Sequence, residues 1–331
     1  MIFEGIDFHN VEELERCEKG YIMWRLPKQV REQVNERIRD TVARYSTGQE
    51  LRFKLINESA DIILRADAAE EAQVAYIYYG SIQGGWQTSS VVIGQEPTKI
   101  HIGKPCNPEI LQQITTQHQL PFSPEVVRIV LPYGHCYYVG VEGEVMPPEA
   151  SELPGSTYLA YGSSITHGSL ALAAPYTYPF RIAQKLGCDY INLGFAGTAQ
   201  LEAAMAQYIV ARKDWSFASV EMGINMKKNF SVEEFEERVD RFTAILSKDT
   251  RPVFATDIFQ CCQPEEEKIE AFRSVVRKYA SERLIYIEGK QLLGNQAHIS
   301  ADLVHPSLEG VEDIVTNWYG FMAEHLVASG Y

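Results

Sequence analysis

Hydrophobic and polar positions alternate in short segments through the first half of the chain, then give way to longer apolar runs separated by helical stretches. The alternating segments are Tyr21 to Leu26, Leu51 to Asn57, Asp61 to Ala66, Val74 to Tyr79, Ser89 to Ile93, Lys99 to Ile102, Val126 to Leu131 and Cys136 to Val141. They are rich in β-branched and aromatic residues and are bounded by Gly, Pro, Asn and Asp, which predicts a β-sandwich. One helix is expected to interrupt it from about Lys28 to Tyr45, with Pro27 near its first turn and Val30, Val34, Ile38 and Val42 in a narrow apolar stripe, strapped over the sandwich. A shorter helix is predicted from Pro108 to about Gln117.

The proline-rich, polar stretch Met146 to Gly155 is the expected boundary between a unit of residues 1–150 and a unit of residues 151–331. Beyond it, strand-like runs at Thr157 to Tyr161, Tyr190 to Leu193, Ala218 to Met222, Pro252 to Thr256 and Leu284 to Ile287 alternate with helical patterns at about Tyr176 to Leu186, Gln200 to Arg212, Val232 to Leu246, Pro264 to Tyr279 and Leu308 to Leu326. This is the pattern of an α/β unit, a parallel sheet with helices on both faces. Right-handed crossovers then bring the C-terminal ends of all its strands to one edge.

Composition narrows the partners. With 331 residues, 45% of them hydrophobic and 22% charged, the chain is that of an ordinary soluble protein with room for two cores. A formal net charge of −14 lacks the basic footprint that nucleic acid or an anionic membrane requires. The six cysteines, Cys17, Cys106, Cys136, Cys188, Cys261 and Cys262, have neither metal-site spacing nor a disulfide framework and are expected to be reduced. No basic, apolar leader opens the sequence and no run approaches the ~20 apolar residues of a membrane span, so a cytoplasmic location is expected. Neither a metal nor another cofactor is expected, because no zinc-type or phosphate-loop spacing occurs. Neither nucleic acid nor a membrane is therefore an expected partner; the composition is compatible with a homo-oligomer.

At the shared strand edge the loops carry a coherent set of chemical groups. Ser164 follows the first strand, Gly197 the second and Asn225 the third, while Asp302 and His305 lie beyond the fifth. A serine hydroxyl needs a base near neutral pKa to become a nucleophile, and imidazole is the best match, which points to His305. Asp302, three residues earlier, can fold back to fix the ring's tautomer and stabilise the imidazolium. The backbone N–H groups of Ser164 and Gly197 and the side-chain amide of Asn225 could serve a developing oxyanion.

The blocks Gly162-Ser163-Ser164-Ile165-Thr166, Asn192 to Gly197, Gly223-Ile224-Asn225 and Asp302-Leu303-Val304-His305-Pro306 resemble the four blocks of the SGNH, or GDSL-type, hydrolase superfamily. The resemblance covers about Thr157 to the C-terminus. It implies a flavodoxin-like three-layer α/β/α domain with esterase, deacetylase, lipase or acyltransferase activity. It also implies the roles of nucleophile for Ser164, triad for Asp302 and His305, and oxyanion hole for Ser164, Gly197 and Asn225. Two departures stand out: the family's aspartate before the serine is Ser163 here, and the one after the block asparagine is Met226. A sandwich preceding a Gly-Ser-Ser-Ile-Thr block further resembles a two-domain subgroup that includes an acyltransferase of antibiotic biosynthesis and some carbohydrate esterases. The expected partner so implied is a small-molecule or oligosaccharide acyl ester, and the function is hydrolysis of small acyl esters, acetyl foremost, of a carbohydrate or small metabolite. The alternatives are acyl transfer to an alcohol or, in another class, glycan binding with an idle hydrolase domain.

Other readings of the same residues stay open at this level. The Ser163-Ser164 pair can serve as a helix cap, and Gly197 and Asn225 as turn residues. His167 can be a second base, a substrate contact or a structural hydrogen-bonding group. Glu221, at a strand end, is set outside the catalytic group. Tyr76, Tyr78, Tyr79 and Trp86 can form a sugar platform or simply pack, and Arg31, Arg37 and Arg44 can form a contact surface or a solvated helix face.

Overall fold

A computed structural model describes residues 1–67 and 73–328. Two antiparallel sheets build the sandwich. The first runs in the order 2–3, 6–9, 50–55, 127–130, 73–79, 82–83, with 145–146 beside 50–55 and 90–93 beside 73–79; the second runs 98–103, 59–66, 136–142, 20–24, 13–17. The strand Ser59–Ala66 shows how the alternation works. Ala60, Ile62, Leu64 and Ala66 point into the core between the sheets while the residues between them face out. Strands 2–3, 6–9, 13–17, 82–83 and 145–146 lie outside the predicted segments, 13–17 because Glu13-Leu14-Glu15-Arg16-Cys17 carries little apolar signal at the sheet's edge.

The expected single strap helix from Lys28 to Tyr45 is instead three pieces, Lys28–Arg31, Glu36–Asp40 and a 3₁₀ turn Val42–Arg44. Asn35 breaks it: held at an extended ψ of 152°, it accepts from the Ile38 N–H and donates to the Thr198 carbonyl at 2.9 Å. The contact with the second half thus wins over the helical periodicity. The helix Pro108–Gln117 forms as expected.

The second half is a parallel sheet in the order 189–194, 157–162, 217–221, 253–256, 284–287. Numbered along the chain this is 2-1-3-4-5, the flavodoxin-like order. The first four of these strands are buried on both faces, and the edge strand 284–287 is partly exposed. Tyr158 and Ala160 pack beneath helices 178–186 and 308–328, and Leu159 and Tyr161 beneath helices 203–211, 232–246 and 266–278, giving three layers. No described helix is long and apolar enough to cross a membrane. Among the described residues no cluster of three or more His, Cys, Asp or Glu side chains could hold a metal ion.

The two halves share buried surface. Strand 127–130 is buried on both faces because Val127 and Ile129 enter the sandwich core while Val130 joins the second half. On that outer face Arg52 forms a bidentate pair with Asp189 at 2.6 and 2.7 Å, and Glu50 accepts from both Arg52 and Arg128. Burial alone would raise the Glu50 carboxyl, but Arg128 and Arg52 hold it down at about 2. Burial opposes the Asp189 charge too, yet Arg52 keeps it well below the carboxylate range.

Three histidines, His9, His135 and His167, are enclosed near this seam, and burial lowers all of them, His135 to about 4 and His167 well below the usual value. The unfolded chain would take up protons on them near pH ~6.5 while the folded chain keeps them neutral, so stability falls as pH drops below that value. Each contributes up to about 1.4 kcal/mol per pH unit until its folded pKa is reached. Urea unfolding at pH ~7 and pH ~5 should therefore show a lower midpoint at the acidic pH, with uptake of roughly two or more protons on unfolding. An equal midpoint would contradict the neutral, enclosed histidines.

Candidate active site

The first parallel strand ends at Gly162 and the chain turns sharply into a short helix, Ser164–His167. Ser163 caps it, its Oγ accepting from the Ile165 N–H at 3.1 Å. The turn is tight by necessity: a Cβ on Gly162 would stand 2.1 Å from Thr166 Oγ1 and 2.6 Å from Glu221 Oε2. Ser164, at the first helical position, faces His305, whose Nε2 lies 2.7 Å from the serine Oγ.

The structure joins the three predicted groups into one hydrogen-bonded chain. His305 Nδ1 lies 2.6 Å from Asp302 Oδ2. Asp302 Oδ1 accepts from the backbone N–H groups of Val304 and His305, both at 2.9 Å, and from Ser300 Oγ at 2.7 Å. Partial burial would raise this carboxyl, but the backbone and ring N–H of His305, with Ser300 and Val304, hold it well below the carboxylate range. An anionic partner on Nδ1 leaves Nε2 free to accept the Ser164 proton. Leu303, between them, adopts a left-handed φ of 65°, which lets the three-residue turn close.

The predicted oxyanion donors sit on the neighbouring strand ends. Gly197 is exposed with φ 71°, a conformation glycine adopts without steric cost. Asn225 is half-buried, and its Oδ1 accepts from the Ala199 N–H at 3.1 Å, which leaves its Nδ2 to act as a donor. Among the described residues no acceptor engages Asn225 Nδ2 or the N–H groups of Ser164 and Gly197. Such an arrangement can activate a hydroxyl and receive a developing negative oxygen.

Two residues act differently from their simplest readings. Glu221 is only 2% exposed, and its Oε2 accepts from the Ser163 N–H at 2.8 Å, Ser163 Oγ at 2.7 Å and Thr166 Oγ1 at 2.9 Å. Burial raises its pKa, partly offset by those donors. It touches no reacting atom; it positions the turn that carries Ser164. The signal was an acid closing an otherwise uncharged strand, Phe217-Ala218-Ser219-Val220-Glu221. His167 is fully buried between Tyr45 and Tyr133, and its Nδ1 accepts from the Ala196 N–H at 3.4 Å. It supports the loop before Gly197, which is the structural role among those left open. Met226 is buried in the core.

The sandwich half also reaches the site, which sequence reasoning missed. Arg25 is fully buried and donates to the carbonyls of Asn192, Gly194 and Val42, its guanidinium lying over the Phe195 ring. Asn10 donates to the same Asn192 carbonyl at 3.0 Å. Both fasten the strand end that precedes Gly197. Arg31 is buried against Glu13 and Trp24, Arg44 lies 3.7 Å from Asp67, and Arg37 stands exposed beside Gly197, so these three do not form one surface. Tyr78 and Tyr79 are buried and Trp86 is fully exposed, so they form no common platform.

Removing the Glu221 carboxylate should loosen the Ser164 turn without touching the reacting groups. Glu221→Ala is expected to lower kcat for a p-nitrophenyl ester at least ~10-fold with little change in KM, and Glu221→Gln, which keeps an acceptor, to restore much of it. Equal rates for wild type and Glu221→Ala would refute the positioning role.

Residues 157–319 match the family model for GDSL-like lipase/acylhydrolase. No curated protein matches the sequence. Among solved structures, the chain is similar to the salicylyl-acyltransferase SsfX3 from a tetracycline biosynthetic pathway, with 15% identity, a TM-score of 0.75 and coverage of 97% of this chain and 94% of that one. It is also similar to a protein from Bacteroides ovatus described as a GDSL-like lipase, with 16% identity, TM-score 0.69 and coverage of 97% of each chain. A family two carbohydrate esterase from Clostridium thermocellum, in complex with cellohexaose, shares 11% identity and a TM-score of 0.57 over 85% of this chain and 93% of that one. At these identities the likeness is one of fold, and it extends over both halves. With residues 157–319 matched by the family model, the parallel-sheet half of the chain belongs to the GDSL-like lipase/acylhydrolase family of SGNH-type ester-bond hydrolases.

Proposed function

We propose that the chain is a serine esterase that cleaves small acyl esters, acetyl foremost, of a carbohydrate or small metabolite through an acyl-enzyme on Ser164. The hydrogen-bonded series Ser164, His305, Asp302 at the end of the first parallel strand carries this proposal. Ser164 Oγ attacks the ester carbonyl carbon while its proton passes to His305 Nε2, and Asp302 stabilises the imidazolium from the other nitrogen. The oxyanion so formed accepts from the Ser164 and Gly197 N–H groups and from Asn225 Nδ2. His305 then returns the proton to the departing alcohol, and water, deprotonated by the same ring, releases the acid. In this scheme residues 151–331 are the catalytic domain, while residues 1–150 are a sandwich domain that fastens the loop carrying Gly197.

The same intermediate can pass its acyl group to an alcohol. Acyl transfer is the second reading because the likeness to SsfX3, a salicylyl-acyltransferase, extends over 97% of the chain. Hydrolysis is favoured by the openness of the triad: the side chains of Asp302 and His305 are 43% and 22% exposed, so water has access to the base.

Hydrolysis of p-nitrophenyl esters from acetate to octanoate should be fastest with acetate and should vanish in a folded Ser164→Ala protein. Turnover retained by that variant would reject the nucleophile. Asn225→Ala should lower kcat about 10²–10³-fold through loss of an oxyanion donor, and an unchanged kcat would exclude that role.

A further inference from the structure

The strap of residues 28–44 holds four arginines, and three have a carboxylate partner. Arg31 pairs with Glu13 at 2.8 Å, Arg39 with Asp40 at 2.7 Å, and Arg44 lies 3.7 Å from Asp67. Arg37 has no ion-pair partner among the described residues and its side chain is exposed. Its guanidinium lies directly over Gly197: a Cβ built there would stand 3.0 Å from Nη1, 3.6 Å from Cζ and 3.7 Å from Nη2. The position is fixed from both sides. Asn35, at the start of the same short helix, donates to the Thr198 carbonyl and to Glu202, and Ile38 is fully buried in the core.

A bare arginine fork beside a proposed oxyanion donor is unusual on a chain of net charge −14, where carboxylates are abundant. Unpaired guanidinium N–H groups match the geometry of a carboxylate or phosphate, which they bind through charge-assisted and often bidentate hydrogen bonds. A wholly neutral ester would leave that capacity unused. We infer that Arg37 is a specificity-determining residue that receives an anionic group, carboxylate or phosphate, carried by the ester close to its scissile carbonyl. This inference rests on Ser164 as the site of acyl transfer and adds the charge of the substrate to it. The substrate class becomes acyl esters of acidic sugars or acidic metabolites, or esters whose acyl part is itself anionic.

The test compares matched neutral and anionic esters in wild type, Arg37→Ala and Arg37→Lys. On the acyl side the pair is p-nitrophenyl butyrate and mono-p-nitrophenyl succinate; on the alcohol side, phenyl acetate is set against meta-acetoxybenzoate and meta-acetoxyphenyl phosphate. In at least one pair, Arg37→Ala should lower the anionic-to-neutral ratio of kcat/KM roughly 10- to 100-fold, chiefly through KM, with part of it restored by Arg37→Lys. The pair that responds tells which side of the ester bears the charge, and the two alcohol-side anions separate carboxylate from phosphate. Ratios equal in wild type and Arg37→Ala for every pair would overturn the inference while leaving Ser164-dependent hydrolysis standing. If no ester is turned over, the proposed function fails first. Calorimetric titration of the same anionic esters into Ser164→Ala and Ser164→Ala/Arg37→Ala proteins then decides: affinity at least ~10-fold weaker in the double variant supports the anion site, and equal or undetectable binding in both overturns it.

Discussion

Charge buried between the sandwich and the parallel sheet sets the geometry on which the site depends. Glu50, Arg52, Arg128 and Asp189 are almost wholly removed from water, and each charge is tolerable only because its partners answer it with short, directed bonds. Removal of one member would strand the others, so the network permits essentially one orientation of the two halves. That orientation places Arg25 on the carbonyls of Asn192 and Gly194 and Asn35 on the carbonyl of Thr198. The loop that carries Gly197 is therefore held before and after the glycine by side chains from the first half. A sandwich that looks peripheral in the sequence supports the loop that carries Gly197.

Around Ser164 the same logic operates at shorter range. Where the family has an aspartate before the serine, this chain has Ser163, too short and uncharged to fix the turn by itself. Glu221 supplies the missing carboxylate from the next strand, gathering the Ser163 N–H, its hydroxyl and the Thr166 hydroxyl on one oxygen. The close approach needs Gly162, whose hydrogen occupies space that a methyl would take from Glu221 and Thr166. A carboxylate 55 to 58 residues further along the chain thus replaces a local support, and Tyr178 extends it through Thr166. On the opposite side, Asp302 keeps its charge through backbone donors within its own turn, so His305 is oriented without help from distant elements.

Much of this arrangement was legible in the sequence because it follows from local patterns. The five parallel strands read as continuous apolar runs, and helix Val232–Leu246 announces its start through Ser231 and Glu234. The grouping of Ser164, Gly197, Asn225, Asp302 and His305 followed from strand order, since each sits at the same end of the sheet. What escaped was contact across the seam. The periodicity of residues 28–45 fits one helix, yet Asn35 bonds to Thr198 and the helix breaks there. Arg25 sits in an apolar strand end with no local sign that its partners lie some 170 residues away in backbone carbonyls. Arg37 reads as one more charge on a solvated face until Gly197 is found beneath it. Strand Glu13–Cys17 was hidden by its edge position, where polar residues cost nothing.

The central claim, that an acyl group passes through Ser164, can be read directly from mass. Wild-type protein mixed with p-nitrophenyl acetate and acid-quenched within the first turnovers should gain one acetyl group, and peptide mapping should locate it on Ser164. The Ser164→Ala protein treated in the same way should gain none. An acetyl group on another residue, or rapid ester hydrolysis in a protein whose Ser164 stays unmodified under conditions that trap the intermediate, would contradict the account.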